Sequence, residues 1–368
     1  MRILQIINNL DLGGAEQLIA ELVPRLRNKN VKCELLVLED LNTNIKKRLT
    51  SQNIKILTLG SIYNPLNIIK LIPIIRKYDI IHSHLFPSQY WVSLAKLLSF
   101  SRTKLVTTEH STNNRRRNRK ILQIFDEFIY KRYDIIICIS EDVLKSLALV
   151  FKSKRITSKL RIVNNGVNIS RFYECTQKTD ISKIVIDFNE NANYKFITQI
   201  ASFRNAKDQD TLIKATSKLP SNYIVLLVGD GERREKCEHL VEKFGLEKQV
   251  YFLGNRSDIE NIIQLSSIIV VSSHWEGFGL AAVEGMAAGK PVIASNVPGL
   301  SEVVSDAGIL FNKGDFIELS KSILRLCSDE DYYIRISNKC VERAKYYDID
   351  VMVNSYKNIY TELLLNDK

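Results

Sequence analysis

Short, nearly uninterrupted runs of Ile, Val and Leu alternate with longer amphipathic stretches along this chain. Runs at 2–7, 33–38, 55–59, 80–83, 104–108, 135–139 and 160–163 read as strands, and stretches such as AEQLIAELVPRLRNK (15–29) read as the helices between them. A strand with one wet face alternates apolar and polar residues, whereas a strand apolar on both faces belongs to a parallel sheet covered by helices on both sides. The pattern lapses over a polar stretch at about 170–194 and restarts with strands at 196–200, 223–228, 250–253, 268–271 and 291–294. These runs predict an α/β chain of two doubly wound, Rossmann-like parallel-sheet domains, residues 1–175 and 176–348. At 368 residues the chain is also too long for one comfortable core. Residues 330–366 read as helical with no following strand, and the last helix, about 349–368, is expected to pack back on the first domain. Ligands of open α/β sheets lie beyond the carboxyl ends of the strands, so a cleft between two facing sheets is the expected site.

Composition narrows the function classes. An apolar content of 45% and a charged content of 25% are those of an ordinary globular protein, folded throughout. Cys33, Cys138, Cys175, Cys237, Cys327 and Cys340 form no C-x-x-C pair and no Cys/His grouping at metal-ligand spacing, so neither a disulfide frame nor a metal site is indicated. The first apolar run is broken by Asn8, Asn9 and Asp11 before a signal-peptide core would be complete. No run approaches the roughly 18–20 apolar residues that span a bilayer. A cytoplasmic protein is expected, with any membrane contact peripheral at the inner face. Charge is uneven: residues 1–180 hold 30 Lys and Arg against 15 Asp and Glu, and the remainder holds 22 against 26. A basic first half suits phosphate-bearing lipid or an anionic membrane surface. Nucleic acid is not indicated, since no aromatic-basic RNA motif or helix-turn-helix signature is present.

The segment SSHWEGFGLAAVEGMAAGKPVIAS (272–295) places two acids, Glu276 and Glu284, around a glycine turn between a strand and a helix. Free backbone N–H groups of Gly277, Phe278, Gly279 and Leu280 would meet the positive end of a helix there, a recipe for binding a diphosphate. Glu276 precedes the turn and suits sugar hydroxyls, or is a plain acid at a helix start. Glu284 lies among Leu, Ala, Val, Gly and Met, where a carboxylate without donors costs several kcal/mol. Ribose hydroxyls or a structural partner would supply them. In ITQIASFRNAKDQDTLIKA (197–215), Arg204 and Lys207 follow a strand and either face a departing diphosphate or form a solvated basic loop. Gly13-Gly14 follows the first strand, but without the G-x-G-x-x-G of a dinucleotide site. His110 follows the strand at 104–108, and His82 and His84 stand at i, i+2 after another with no third ligand in sight. Asp230-x-Glu232 in VGDGERR mimics a metal pair but reads better as a turn capping a helix. Five cations in six positions, Arg115 to Lys120, are either a solvated loop or a site for lipid diphosphate or anionic bilayer.

Glu276-x7-Glu284 within EGFGLAAVEGMAAGKPVIAS closely resembles the donor signature of retaining glycosyltransferases of family 4, which have the GT-B fold. The likeness extends over nearly the whole chain. It implies that Glu276 and the glycine turn hold the transferred sugar and diphosphate, and that Glu284 holds the nucleotide ribose. Lys207 matches the family's lysine, while Arg204 is displaced from the usual arginine position near Ser202. His110 matches the histidine that approaches the donor sugar, and Gly13-Gly14 resembles the glycine loop on the acceptor side, which His84 also lines. Gly285 stands where the family usually has alanine, at a helix cost of about 1 kcal/mol. The resemblance implies a metal-independent, retaining hexosyltransferase without a cofactor. Its second domain binds a nucleotide-sugar, expected to be a UDP-sugar, and its first binds a glycan or lipid-diphosphate-linked acceptor in envelope polysaccharide synthesis. A GT-B sugar-nucleotide epimerase and a non-enzymatic sugar-nucleotide-binding protein are the alternatives.

Overall fold

A computed structural model describes residues 1–11, 13–112, 119–177, 179–184 and 193–365. The chain divides into two compact units, residues 1–166 with 349–368, and residues 167–348. The basic run from Arg115 to Arg117 lies outside the described residues; Arg119 and Lys120 are within them.

The first unit is a parallel sheet of seven strands: β1 (Arg2–Ile7), β2 (Lys32–Val37), β3 (Ile56–Thr58), β4 (Ile80–His84), β5 (Lys104–Glu109), β6 (Ile135–Cys138) and β7 (Leu160–Ile162). Their order is β3-β2-β1-β4-β5-β6-β7. The central strand β4 is buried along its whole length, as a strand covered on both faces must be. Helix Gly14–Asn28 buries Leu18, Ile19, Leu22, Val23 and Leu26 on one face against the sheet, the 3.6-residue period of an amphipathic helix. The last helix, Ile349–Leu365, contributes Ile349, Met352, Val353, Tyr356 and Tyr360 to this same core.

The second unit repeats the plan with six parallel strands: β8 (Lys195–Ile200), β9 (Tyr223–Val228), β10 (Val250–Gly254), β11 (Ile268–Val271), β12 (Val292–Ser295) and β13 (Ile309–Phe311). Their order is β10-β9-β8-β11-β12-β13. β13 is a sixth strand beyond the five apolar runs of this half, and its three residues are too few to stand out as a run. In both sheets the strand order reverses once, between β1 and β4 and between β8 and β11. The loops leaving these strands splay to opposite faces, and the crevice between them is where doubly wound sheets bind ligands.

The border falls at 166/167 rather than at the 175/176 read from the polar stretch. The reason is a short helix, Ile169–Tyr173, inside that stretch. Its Phe172 is buried, and Arg171 is paired with Glu260 of helix Ile259–Leu265 at 2.8 Å. These contacts bind the segment to the second unit before its first strand begins.

Candidate active site

At the switch point of the second sheet, β11 runs into Ser272–Gly279 and helix Leu280–Ala287. Gly279 precedes the helix at φ 94°, a conformation that L side chains rarely adopt, and among the described residues no side chain caps the helix start. The turn is also fitted from behind. A Cβ on Gly299 would lie 2.5 Å from the Glu276 carbonyl oxygen and 2.8 Å from that of Gly277. Phe278 is buried and meets Tyr347 edge-on at 5.1 Å. Gly277, Phe278, Gly279 and Leu280 are thus held with their backbone at a helix start, as an anion site requires.

The loop leaving β8 is tied to this turn by groups that no sequence motif marks. Ser272 Oγ donates to the Asp208 carbonyl at 2.7 Å, Gln199 Nε2 donates to the Lys207 carbonyl at 2.8 Å, and the His274 amide donates to the Ala206 carbonyl at 2.8 Å. Asp208 sits in the left-handed region at φ 46°, its carboxylate accepting from Thr211 Oγ1 at 2.6 Å. Their signal was faint: single polar residues at the ends of apolar strands. The result is that Lys207 Nζ donates to Glu276 Oε2 in an ion pair. Glu276 also accepts from Ser273 Oγ at 3.3 Å and the Gly277 amide at 3.3 Å. Lys207 and Glu276 are therefore brought together, and the lysine's charge is already matched. Arg204 begins the same loop but is exposed, with no side-chain partner among the described residues.

Glu284 lies on helix Leu280–Ala287 between buried Val283 and Gly285, itself only partly exposed. No side chain hydrogen-bonds its carboxylate among the described residues. Burial pushes it up to about 7, Arg171 pulls it down and Glu260 raises it. Gly285 has a structural reason: a Cβ there would lie 2.8 Å from Ile269 Cγ1 on β11, so the helix rests on the strand with no room for alanine. In VGDGERR, Gly229 and Gly231 have φ of 128° and 151°, and their missing side chains leave room for the Ala201 and Phe203 carbonyls. The following helix has no side-chain cap among the described residues, so the capping expectation gives way to close backbone approach. Asp230 accepts from the Gly231 amide at 2.7 Å and pairs with Arg234 at 3.5 Å.

The first unit gathers His84, at the end of β4, and His110, just after β5. Their rings meet through Nδ1 and Nε2 at 3.2 Å. Behind them runs a buried polar chain. His84 Nε2 meets Gln5 Oε1 at 2.9 Å, and Gln5 Nε2 donates to Tyr360 Oη at 3.0 Å. Tyr360 Oη lies 2.6 Å from His82 Nδ1, and His82 Nε2 lies 2.8 Å from Thr108 Oγ1. Since Gln5 Oε1 only accepts, His84 is protonated on Nε2; its Nδ1 then accepts from His110 Nε2–H, leaving His110 Nδ1 as the open lone pair. Burial holds His82 and His84 well below the usual histidine range and takes His110 down to about 4, opposed by Glu109. The i, i+2 pair His82/His84 is thus spoken for by hydrogen bonds. Gly13 begins helix Gly14–Asn28 in extended backbone, and its missing Cβ makes room for the Glu16 carboxylate.

Two doubly wound parallel sheets, each with its loops gathered at the switch point, are the architecture of a GT-B glycosyltransferase. The chain belongs to the GT-B glycosyltransferases of the family 4 type: residues 12–171 match the model for Glycosyltransferase Family 4 and residues 180–345 that for Glycosyl transferases group 1. It is 29% identical, over 96% of its length and 95% of the relative's, to an uncharacterized glycosyltransferase of Methanocaldococcus jannaschii. It is 24% identical, over 78% and 72%, to the UDP-Gal:alpha-D-GlcNAc-diphosphoundecaprenol alpha-1,3-galactosyltransferase of Escherichia coli. Among solved structures, Anabaena HepE in complex with UDP-glucose superposes with a TM-score of 0.86 at 21% identity, covering 98% of this chain and 100% of that one.

Proposed function

We propose that this glycosyltransferase moves a sugar from a UDP-sugar to a hydroxyl of a lipid-diphosphate-linked or glycan acceptor, with retention of anomeric configuration and without a metal. The observation that carries the reading is the Lys207–Glu276 pair beside an uncapped helix start, with Glu284 about one turn into that helix and lacking a hydrogen-bond donor among the described residues. Diphosphate oxygens at the helix start would draw Lys207 away from Glu276, freeing the carboxylate to accept from sugar hydroxyls, and ribose hydroxyls would supply Glu284. Exposed Arg204 adds a second cation toward the diphosphate. The bond from the anomeric carbon to the diphosphate oxygen breaks as the acceptor oxygen bonds to the same face, and the acceptor's proton passes to the departing diphosphate. We assign His110 to the donor sugar and Gly13, Gly14 and His84 to the acceptor, as the family resemblance implies. The UDP-glucose in the HepE complex and the lipid diphosphate in the E. coli relative's name support the choice of donor and acceptor. Envelope polysaccharide synthesis at the cytoplasmic face of a membrane is the setting that such an acceptor implies.

The test is a screen of UDP-sugars by thermal stabilisation, followed by transfer to a lipid diphosphate in detergent with and without EDTA. An α-linked product from an α-linked donor, unaffected by EDTA, is expected. A β-linked product or loss of activity with EDTA overturns retention or metal independence, respectively. Inversion of the free UDP-sugar without acceptor would identify an epimerase instead.

A further inference from the structure

Helix Lys120–Tyr130 of the first unit carries an apolar stripe apart from the face it buries, where a surface helix is polar on its outer side. Asp126, Ile129 and Tyr130 are buried and anchor it to the unit. Ile121, Ile124, Phe125 and Phe128 recur at i, i+3, i+4 and i+7 and form a separate stripe, and they are exposed by 82%, 69%, 42% and 42%. Aromatic rings extend the stripe: Phe128 and Phe125 lie 6.1 Å apart, Phe125 and Tyr90 5.4 Å, and Tyr90 and Phe86 5.0 Å. Phe86, itself 38% exposed, stands two residues beyond His84. The apolar surface therefore leads to the histidines assigned above to the acceptor side. Isolated exposed apolar residues need no explanation, but a continuous stripe on one helix does.

Charge decides what covers it. Arg119 and Lys120 open the helix, are exposed, and have no carboxylate partner among the described residues. In sequence they close a run that begins with Arg115, Arg116 and Arg117. A second copy packed about a twofold axis would bring these cations toward their own images. An anionic surface is attracted by them while its acyl region takes the apolar stripe, as for helices that lie in a membrane interface. Among the described residues no helix is long and apolar enough to cross a membrane, so contact through this helix would be in the plane of the surface.

We propose that the exposed face of helix Lys120–Tyr130 is an interfacial membrane anchor, seating Ile121, Ile124, Phe125 and Phe128 in an anionic lipid bilayer with Arg119 and Lys120 at the headgroups. The proposal rests on the membrane-borne acceptor inferred above and assigns the element that brings the enzyme to it.

The experiment is flotation of the full chain with phosphatidylcholine vesicles with and without phosphatidylglycerol, in the absence of any sugar nucleotide or acceptor. The parent is expected to float with the anionic vesicles. Ile121→Asp with Ile124→Asp should weaken binding by more than ~tenfold. Arg119→Glu with Lys120→Glu should weaken it by a comparable ~tenfold, and salt should weaken binding of the parent. Both variants alter only exposed side chains, so melting temperatures and UDP-glucose hydrolysis should stay at the parent's values. The proposal is overturned if the parent ignores anionic vesicles, if it binds neutral vesicles equally well, or if the stripe variant floats like the parent. It is equally overturned if light scattering shows a dimer of the parent that the stripe variant dissociates. A lack of transfer to a lipid diphosphate in detergent, with vesicle binding intact, would instead overturn the acceptor reading and leave the anchor standing.

Discussion

The two units share one sheet plan yet equip their switch points with opposite electrostatics. In the first unit, histidines buried behind β4 and β5 are held neutral by desolvation and wired through Gln5, Tyr360, His82 and Thr108. In the second, the corresponding loops carry an ion pair, Lys207–Glu276, and three helices add Glu284, Arg171 and Glu260. A neutral network can be dry and rigid where its buried polar atoms are joined by hydrogen bonds, whereas charges near a surface can exchange partners when a ligand brings its own. The first arrangement suits holding a group in one orientation. The second suits binding and releasing a charged donor.

The largest expected effect breaks the charged side. Glu276→Ala should lower kcat for sugar transfer by about 10²–10³-fold, with the melting temperature nearly unchanged, because the charge set beside the helix start would be lost while the fold does not depend on it. Steady-state kinetics with a fixed UDP-sugar checks this; a change confined to KM would reduce Glu276 to a binding contact.

Acidification from about pH 7 to about pH 5 should separate the units by sign. Unfolded histidines bind protons below their usual 6.5, while His82 and His84 in the folded unit do not, so the first unit loses stability as pH falls. The loss should be about 2 kcal/mol for each such histidine. Glu284 acts the other way: its folded value of about 7 lies above the usual 4.5, so the folded state holds more protons between them. The second unit is then relieved as pH falls through that window, by less than about 1 kcal/mol because the group is partly exposed. Amide hydrogen exchange read separately on each unit would show the opposed trends.

Packing gives the next largest effect. Gly285→Ala should destabilise the second unit by about 1–2 kcal/mol despite the better helix propensity, since the new methyl meets Ile269. In an Ile269→Ala background the same change should cost less, a coupling that thermal melts of the four combinations would measure. The smallest effect tests the neutral side. Tyr360→Phe leaves Gln5 Nε2 and His82 Nδ1 each without the hydroxyl they meet and should cost about 1 kcal/mol, with the tautomers of His84 and His110, read by nitrogen NMR, becoming mixed.

Much of this was legible along the chain, because parallel strands covered on both faces must be apolar on both faces. The runs that became β1, β4, β9 and β11 declared themselves for that reason. The strand–glycine–helix grammar likewise marked the turn at 276–279. Less legible were Ser272, Gln199 and Asp208, whose work is to fasten one loop to another, and Gly299, whose missing side chain is needed by a backbone more than twenty positions away. The basic run at 115–120 was visible, but the apolar stripe that follows it was indistinguishable from a core face until its exposure was known.

The sequence by itself determined the parallel α/β class, the two-unit division and the identity of the charged groups at the strand ends, because burial period and residue chemistry are local properties. Only the tertiary structure decided that Lys207 meets Glu276, that Gly285 is required by Ile269, and that the last helix carries Tyr356 and Tyr360 into the first unit's core. Those outcomes depend on which distant segments come within a few ångströms of each other, and sheet order, unlike periodicity, is set by the packing of the whole unit.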